Sequence, residues 1–534
     1  MIAPPRAWLL LPLLAAAAAA QWEPGPLPVG FTRHWSLDPA RSYDTTYADG
    51  TTYAGGGPAP RPILVNIWYP AAPAKDAVPL RRGDYLDATS CAGADARLTA
   101  FARALEAYSR GIVADELLDE PAAERDAADQ AALEEMLSAP ATAVRDAPPA
   151  SGRYPLVIYH AGYGSSFEDD VAFCERLASH GYVVAGSAYQ AADGKSFNID
   201  AHDGSLRDFD VLIRELSARP DVDAKHLALA GHSGGAHTAF RAQARAQAPW
   251  DALVILDTTE DYWPAREPRW THPTDVLAAP ERFTVPMLVT TGRQAIFDLV
   301  DRLSAADRWY LTFRELDHNA FIEQGVLTAE LAARRAPPAA AEESRAAVRT
   351  AREGFDRVCQ TARLFLDANL KGDATAAAAL AATAAASLPG DVAFRLEHVP
   401  AGVTGPVAWD PASAAPPEPR QLRGALAALG AEELVARLES WHESQPQLPI
   451  FGLTFGMSLT WDLVDAGRLD EARLLAPFYG RINPGSAKIA LWFVSNSSAA
   501  PEREAWKGTM LQAAALLEPD DAEVKAALEA WRKH

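Results

Sequence analysis

Ser233 lies in a stretch whose residue types suit nucleophilic catalysis. Residues 226–235 read HLALAGHSGG, which is a short apolar run typical of a buried strand followed by a G-x-S-x-G pentapeptide. A helical pattern begins at His237. Strand, tight turn and helix form the setting of a nucleophile elbow, in which the turn exposes the serine hydroxyl above a sheet. The pattern predicts Ser233 as a nucleophile, with the Gly234 N–H beside it as a donor to a developing oxyanion.

A histidine must remove the proton from this serine, because a free hydroxyl is a weak nucleophile. In an elbow-containing sheet the chain order is serine, acid, histidine. His318 follows the last predicted strand by a few residues, in the sequence LDHNAF, and is the predicted base. His272 is the alternative, although no strand immediately precedes it. His237 is expected to pack within the helix after the elbow.

The carboxylate that orients the base has two candidate positions. Asp257 directly follows the apolar run 253–256, so its side chain is expected at the edge of the sheet where the site forms. Asp298 is the second candidate, because it is the nearest carboxylate after the strand predicted at 287–290. We predict Asp257 as the acid, and we expect Asp261 and Asp317 to be solvated loop residues.

A second oxyanion donor is expected in the loop after the strand predicted at 156–159. This loop, residues 160–166, reads HAGYGSS, and its small residues allow the backbone to approach a substrate oxygen. The predicted donor is the Tyr163 amide, with Gly162 as the alternative. His160 is expected to be a structural hydrogen-bonding residue. Loss of one such donor costs on the order of 100- to 1,000-fold in rate.

These candidates need an alternating α/β scaffold, and the chain has that pattern. From residue 154 onward short apolar runs alternate with helical patterns, which predicts a mostly parallel sheet covered on both faces. The predicted strands are 62–69, 156–159, 182–185, 226–230, 253–256, 287–290 and 309–313, and the main predicted helices are 170–180, 207–218 and 344–370. Residues 92–140 instead show helical spacing and predict a helical insertion, which either caps a pocket or packs on the flank.

The chain beyond the sheet is predicted to be helical. We expect an α/β domain over residues 21–375, a linker over 376–419, and an all-α region over 420–534, because 399–419 is rich in Pro, Ala and Gly. Four positions of the last region match the tetratricopeptide repeat pattern: Leu459, Gly467, Ala472 and Pro484. A helix pair near 502–532, broken at Pro519, resembles a second degenerate unit. The alternative is a helical cap docked on the α/β domain.

Composition limits the partners and the compartment. The 534 residues carry a formal net charge of −21 and no basic tract, which argues against nucleic acid or an anionic membrane surface as partner. Residues 1–20 combine Arg6, a short apolar run and small residues before Gln21, which predicts a signal peptide and a secreted or periplasmic protein. An uncleaved anchor is the alternative. No later stretch predicts a transmembrane helix, and the three cysteines lack metal-ligand spacing and allow one disulfide at most.

Three short motifs together resemble one enzyme family. The sequences GHSGG around Ser233, ILDT around Asp257 and DHNAF around His318 resemble those of platelet-activating-factor acetylhydrolase and its bacterial relatives. Dienelactone-hydrolase-like and cutinase-like esterases are similar through the elbow. The resemblance covers about residues 28–370 and implies an α/β-hydrolase fold that cleaves carboxylic esters without calcium, metal or cofactor. The HAG oxyanion loop, the 92–140 insertion and the C-terminal helices depart from the family pattern.

The sequence therefore predicts a secreted serine hydrolase with a Ser233–His318–Asp257 triad and an acyl-enzyme intermediate. The expected substrate is a small-molecule or lipid ester with a short-chain or lipid acyl group, and a protein partner is expected on the C-terminal helices. A peptidase or an acyl transferase on the same fold is the first alternative. The second is a catalytically inert binding protein that uses the helical repeats.

Overall fold

A single ten-stranded sheet organises the larger part of the chain. The computed structural model describes residues 24–43, 59–91, 95–118, 124–165, 168–190, 202–262, 276–292, 295–313, 316–386, 394–404, 407–496 and 504–533. The strands of the sheet are β1 (Val29–Tyr43), β2 (Ala59–Pro70), β3 (Val144–Arg145), β4 (Tyr154–His160), β5 (Val183–Ser187), β6 (Val222–His232), β7 (Ala252–Leu256), β8 (Met287–Thr291), β9 (Arg308–Phe313) and β10 (Phe394–Val399). The strand order is β10-β9-β8-β7-β6-β4-β5-β2-β1-β3.

The centre of the sheet is parallel and its flanks are largely antiparallel. Strands β5, β4, β6, β7, β8 and β9 pair in parallel, whereas β2 pairs antiparallel with both β5 and β1, and β10 pairs antiparallel with β9. Every residue of β5, β7 and β8 is buried. Continuous apolar runs of this kind are typical of strands covered on both faces. The predicted α/β class is therefore confirmed, and the predicted strands are all present.

Helices cover both faces of the sheet and continue beyond it. In chain order the helices around the sheet are α1 (Ala96–Leu118), α2 (Ala127–Leu137), α3 (Val171–Ser179), α4 (His202–Leu216), α5 (Gly234–Ala244), α6 (Glu323–Arg335), α7 (Ala341–Leu370) and α8 (Ala374–Ala386). Two buried apolar clusters lie on opposite faces of the sheet. Alternate residues of one strand divide between them: Ile158 belongs to one cluster and Val157 to the other.

The insertion predicted at 92–140 is helical. Helices α1 and α2 lie between β2 and β3 in the chain, and both contact α6, the helix that follows the predicted catalytic histidine. Leu117 and Leu118 of α1, Leu133 of α2 and Leu331 of α6 share one buried cluster. The insertion therefore packs beside the loops at the carboxyl ends of the strands.

The segment predicted as a linker, 376–419, differs from the prediction in its first half. It contains most of α8 and the edge strand β10, whose residue Leu396 pairs with Leu311 and is buried. The Pro-rich composition that indicated a boundary begins only at residue 399. Strand β10 was missed because a six-residue strand gains its stability from its neighbour β9, and that pairing is not visible in the local sequence.

The C-terminal region is all helical, as predicted. Its helices are α9 (Leu422–Leu429), α10 (Ala431–Ser444), α11 (Leu453–Asp465), α12 (Leu469–Ile482), α13 (Ser486–Asn496), α14 (Glu504–Leu517) and α15 (Ala522–Arg532). Gly467 adopts a positive φ of 71° in the turn between α11 and α12, and Ala472 is fully buried on α12. Pro519 falls between α14 and α15. The two predicted helix pairs are present, while their assignment to the tetratricopeptide family stays a prediction.

Three further sequence predictions concern the chain ends and cysteines. The signal segment 1–20 lies outside the described residues. Among the residues that are described, none of the helices combines the length and apolar character needed to cross a bilayer. Cys91, Cys174 and Cys359 are all free thiols.

Close packing in the C-terminal region leads to a stability prediction. A Cβ atom on Gly480 of α12 would lie 1.7 Å from the Leu517 carbonyl oxygen at the end of α14. Since backbone atoms cannot move aside cheaply, Gly480→Ala is expected to lower the free energy of unfolding by about 1–3 kcal/mol. Gly111→Ala on α1 is the matched control, because nothing lies within 4 Å of its Cβ position. Urea denaturation followed by circular dichroism should show the control unchanged or about 0.5–1 kcal/mol more stable; equal stability of both variants would contradict the packing argument.

Candidate active site

Ser233 occupies a strained turn between β6 and α5. Its φ is 50° and its ψ is −115°, a backbone conformation that L-residues rarely adopt. The turn is tight because two glycines allow close contact: a Cβ on Gly231 would lie 2.5 Å from the Gly235 carbonyl carbon, and a Cβ on Gly235 would lie 2.1 Å from the His160 carbonyl oxygen. The Ser233 amide donates a hydrogen bond to the Leu256 carbonyl at 3.0 Å. This is the geometry that a nucleophile elbow requires.

Asp257 directly follows β7 and is completely buried. Its φ is 43°, so it also adopts a left-handed conformation. The Gly292 amide donates to its Oδ1 atom at 3.1 Å, and His318 Nδ1 donates to its Oδ2 atom at 2.7 Å. A buried carboxylate needs such donors, because removing its charge from water is otherwise costly. The structure thus brings two of the three predicted catalytic side chains into direct contact.

Tyr262 is a third member of this group that the sequence analysis missed. Its hydroxyl donates to Asp257 Oδ2, the same oxygen that accepts from His318, and lies 3.4 Å from His318 Nδ1. Burial and the neighbouring Asp257 carboxylate raise the pKa of Tyr262 above its ordinary value, so the hydroxyl keeps its proton and remains a donor. Its position five residues after the acid carries no recognisable sequence signal.

His318 begins a short 3₁₀ helix, His318–Phe321, after β9. Because Nδ1 donates to Asp257, the lone pair of the neutral ring is at Nε2, which is the atom that a general base uses. His232, the motif residue before Ser233, holds the backbone of this loop through a bond of 3.1 Å from its Nε2 to the His318 carbonyl. Burial, followed by the nearby His318, lowers the pKa of His232 to about 3, so His232 is neutral. The sequence analysis quoted His232 within the motif and assigned it no role.

The contact between Ser233 and His318 stays a prediction. Among the described residues, neither the Ser233 hydroxyl nor His318 Nε2 makes a hydrogen bond. The His232 ring, on the residue before Ser233, has its centroid 4.7 Å from that of the His318 ring, so the elbow and the His318 loop are neighbours. Catalytic hydrogen bonds are often long without substrate and tighten in the Michaelis complex.

The predicted oxyanion loop lies beside the elbow. Residues 162–165 form a turn closed by the Ser165 amide and the Gly162 carbonyl, with Gly164 at a φ of 74°. The Cβ position of Gly162 is 3.3 Å from Ser233 Cβ, and the Gly162 amide donates to Asp169 Oδ2 at 3.4 Å. Tyr163 is 57% exposed. The Tyr163 and Gly234 amides remain the predicted donors, and the alternative, Gly162, has an amide already directed to a carboxylate.

The other candidates are used elsewhere or are not described. The Asp298 carboxylate binds Arg302 at 2.9 Å, whereas the carboxylate in contact with His318 is that of Asp257. His272 lies outside the described residues. His160 is buried against Ser205, which matches the structural role expected of it. The expectation that Asp261 is solvated is wrong. It is 1% exposed, because its carboxylate accepts the amides of residues 299 and 300 and anchors the loop after β8.

Two helix starts beside the site are joined by reciprocal capping. The Asp170 carboxylate at the start of α3 accepts the Glu323 amide at 3.0 Å, and the Glu323 carboxylate at the start of α6 accepts the Ala172 amide at 2.8 Å. Arg82 pairs with Glu323. Helix α3 follows the oxyanion loop and α6 follows the His318 loop, so this exchange fixes the two loops relative to each other. Neither acid was singled out from the sequence, since the capping partner is more than 150 residues away.

The strand order, the elbow and the acid–histidine pair together define an α/β-hydrolase with a helical C-terminal region. Asp257 follows β7 and His318 follows β9, which is the chain order of serine, acid and histidine in this fold. The described residues contain no group of three or more His, Cys, Asp or Glu side chains arranged to hold a metal ion.

Comparisons with known proteins give a partial family match and a distant structural similarity. A family model described as chlorophyllase matches residues 120–289, a minority of the chain that includes Ser233 and Asp257 but not His318. Among solved structures, a ferulic acid esterase from Streptomyces cinnamoneus is similar at 17% sequence identity with a TM-score of 0.39, over 65% of this chain and 92% of that chain. No curated protein matches the chain.

The two acid candidates can be separated by paired substitutions. Asp257→Asn keeps the shape of the side chain but replaces the carboxylate that orients His318, so kcat on an activated ester should fall by about 10⁴-fold. Asp298→Asn is the control and should change kcat less than about threefold, because its carboxylate binds Arg302. Measuring kcat for both on p-nitrophenyl acetate decides between them, and the reverse order of effects would reject Asp257.

Tyr262 should act as a positioning residue for the acid. Tyr262→Phe removes the hydroxyl while keeping the ring, so Asp257 Oδ2 loses one donor. We expect kcat to fall by about tenfold, since a hydrogen bond to a charged group contributes about 1.5–3 kcal/mol. KM should stay within about twofold, because the hydroxyl does not contact the substrate site directly. Steady-state kinetics test this split, and a change confined to KM would contradict the assignment.

Proposed function

We propose that this protein is a serine hydrolase that cleaves carboxylic esters through Ser233, His318 and Asp257. The observation that carries the proposal is the 2.7 Å bond between His318 and Asp257 beside a serine held in a left-handed elbow. A buried carboxylate paired with a partly exposed imidazole is the arrangement that a histidine base requires. The chlorophyllase-model match over residues 120–289 supports the ester-cleaving class.

In this proposal His318 Nε2 removes the Ser233 hydroxyl proton as the oxygen attacks the ester carbonyl. The tetrahedral oxyanion is stabilised by the Gly234 amide at the start of α5 and by the Tyr163 amide. His318 then donates its proton to the leaving alcohol, and an acyl-enzyme remains on Ser233. Water, deprotonated by His318, attacks the acyl-enzyme and releases the acid. Asp257 and Tyr262 hold the imidazole in the required tautomer throughout.

Two alternatives use other features of the chain. A peptidase or acyl transferase would use the same three residues and differ only in the substrate. An inert binding protein would use the C-terminal helices alone. The intact His318–Asp257 pair argues against it, because strained backbone and buried polar groups cost stability. The proposal has three further parts. We propose that the chain is related to platelet-activating-factor acetylhydrolases or dienelactone hydrolases, that residues 1–20 direct its export, and that a partner binds the repeat-like helices.

Replacement of the nucleophile tests the proposed function. Ser233→Ala should abolish hydrolysis of p-nitrophenyl acetate and butyrate and should abolish labelling by a fluorophosphonate probe. Ser165→Ala in the oxyanion loop is the matched control, and it should keep labelling. Circular dichroism should show that both variants remain folded. Ester turnover retained in Ser233→Ala would reject the mechanism, and probe labelling with turnover of peptides but not esters would favour the peptidase.

A further inference from the structure

An apolar pocket lies between the helical insertion and the loops of the candidate site. The space between its lining residues is about 480 Å³, a figure that includes open solvent. Its apolar walls come from four parts of the chain: the insertion, the short helix before the insertion, the start of α3, and α6. The apolar side chains that line it are Leu86, Val113, Leu117, Leu137, Val171 and Leu327. Three of these six side chains belong to α1 and α2, so the insertion builds much of the pocket.

Hydrogen bonds connect this pocket to the oxyanion loop. Glu116 of α1 lines the pocket and accepts the Ser165 hydroxyl at 3.0 Å. That hydroxyl lies 3.6 Å from the Cβ position of Gly162, which is itself 3.3 Å from Ser233 Cβ. Asp169 also lines the pocket and accepts the Gly162 amide. The pocket is therefore lined by residues that directly follow the oxyanion loop, and these hydrogen bonds join it to that loop.

The start of α6, the helix that follows the predicted catalytic histidine, lines the pocket next to Asp169. Gln324 lines the pocket, and its amide donates to the Asp169 carbonyl at 3.2 Å. Helix α6 begins at Glu323, two residues after the end of the 3₁₀ helix His318–Phe321. A group held in the pocket thus lies beside the segments that directly follow the oxyanion loop and the His318 loop.

Burial raises the pKa of all three acidic side chains that line the pocket, Glu116, Glu168 and Asp169, and so limits their ionisation. Arg82 is paired with Glu323. Burial, followed by the nearby Asp169 carboxylate, raises the pKa of Glu116 to about 8, and burial raises the pKa of Asp169 to about 7. Such a site favours uncharged apolar groups and disfavours ionised ones, because transfer of an apolar group from water is favourable and transfer of an unpaired charge is costly.

We propose that this pocket binds the apolar moiety of the ester, so that the α1–α2 insertion determines which esters are cleaved. The inference rests on the proposed ester hydrolysis at Ser233. The apolar group can belong to the acyl or to the alcohol part of the ester. The substrate class is therefore an uncharged ester with one extended apolar group, and each methylene buried in the pocket should increase kcat/KM by up to about fourfold.

Filling the pocket tests this proposal. Val113→Trp and Leu327→Trp place a large ring into it from two different helices, and both residues are only partly buried, so the core is not overpacked. The kinetics use two ester series: p-nitrophenyl esters from acetate to octanoate, and acetate esters from ethyl to octyl. We expect the native enzyme to favour longer chains by at least about tenfold in one series. Each variant should lose that preference, so that kcat/KM for the longest ester of the series falls toward that for the shortest.

Ala107→Trp is the matched control, because this residue is on the exposed side of α1 and adds the same ring outside the pocket. Its chain-length preference should equal that of the native enzyme. The series that carries the preference identifies the acyl or the alcohol part as the occupant. A native enzyme without chain-length preference, or variants that keep the preference or slow all esters equally, would overturn the proposal. An absence of any Ser233-dependent ester turnover would instead reject the proposed function itself.

Discussion

The left-handed backbone at Ser233 is the constraint on which the site depends. This conformation is costly for any residue with a side chain, and it persists because β6, α5 and the end of β4 meet without room for a Cβ at Gly231 or Gly235. The packing of three buried elements thus offsets the local strain. The result is a hydroxyl displayed at the edge of the sheet and a helix N-terminus placed directly beside it.

The loops around this turn are fixed by buried polar contacts. Asp257 accepts hydrogen bonds from His318, Tyr262 and the backbone of the loop after β8, so the acid also orders its neighbours. The exchanged caps of Asp170 and Glu323 join the oxyanion side to the histidine side. Buried polar groups of this kind are strongly destabilising when one partner is removed, which makes the arrangement of the site cooperative.

The C-terminal helices are attached near the same loops. Ile296, in the loop after β8, belongs to the buried apolar cluster of the C-terminal region, and its carbonyl accepts a bond from Arg423 of α9. Arg420 pairs with Asp301 at 2.8 Å. In this fold the acid often lies after the strand that corresponds to β8; here that loop instead forms the attachment surface for the helical region, while Asp257 after β7 contacts the histidine.

The sequence alone determined the α/β class, the elbow, and the choice of Asp257 and His318, because strand runs, small residues in a tight turn and chain order are local or sequential signals. It also located the helical insertion and the C-terminal helix pairs. Only the tertiary structure revealed Tyr262 on the acid, the Asp170–Glu323 exchange, the edge strand β10, the burial of Asp261 and the pocket beneath α1. Each of these depends on contacts between residues on different elements, and periodicity along a single chain does not encode which distant side chains become neighbours.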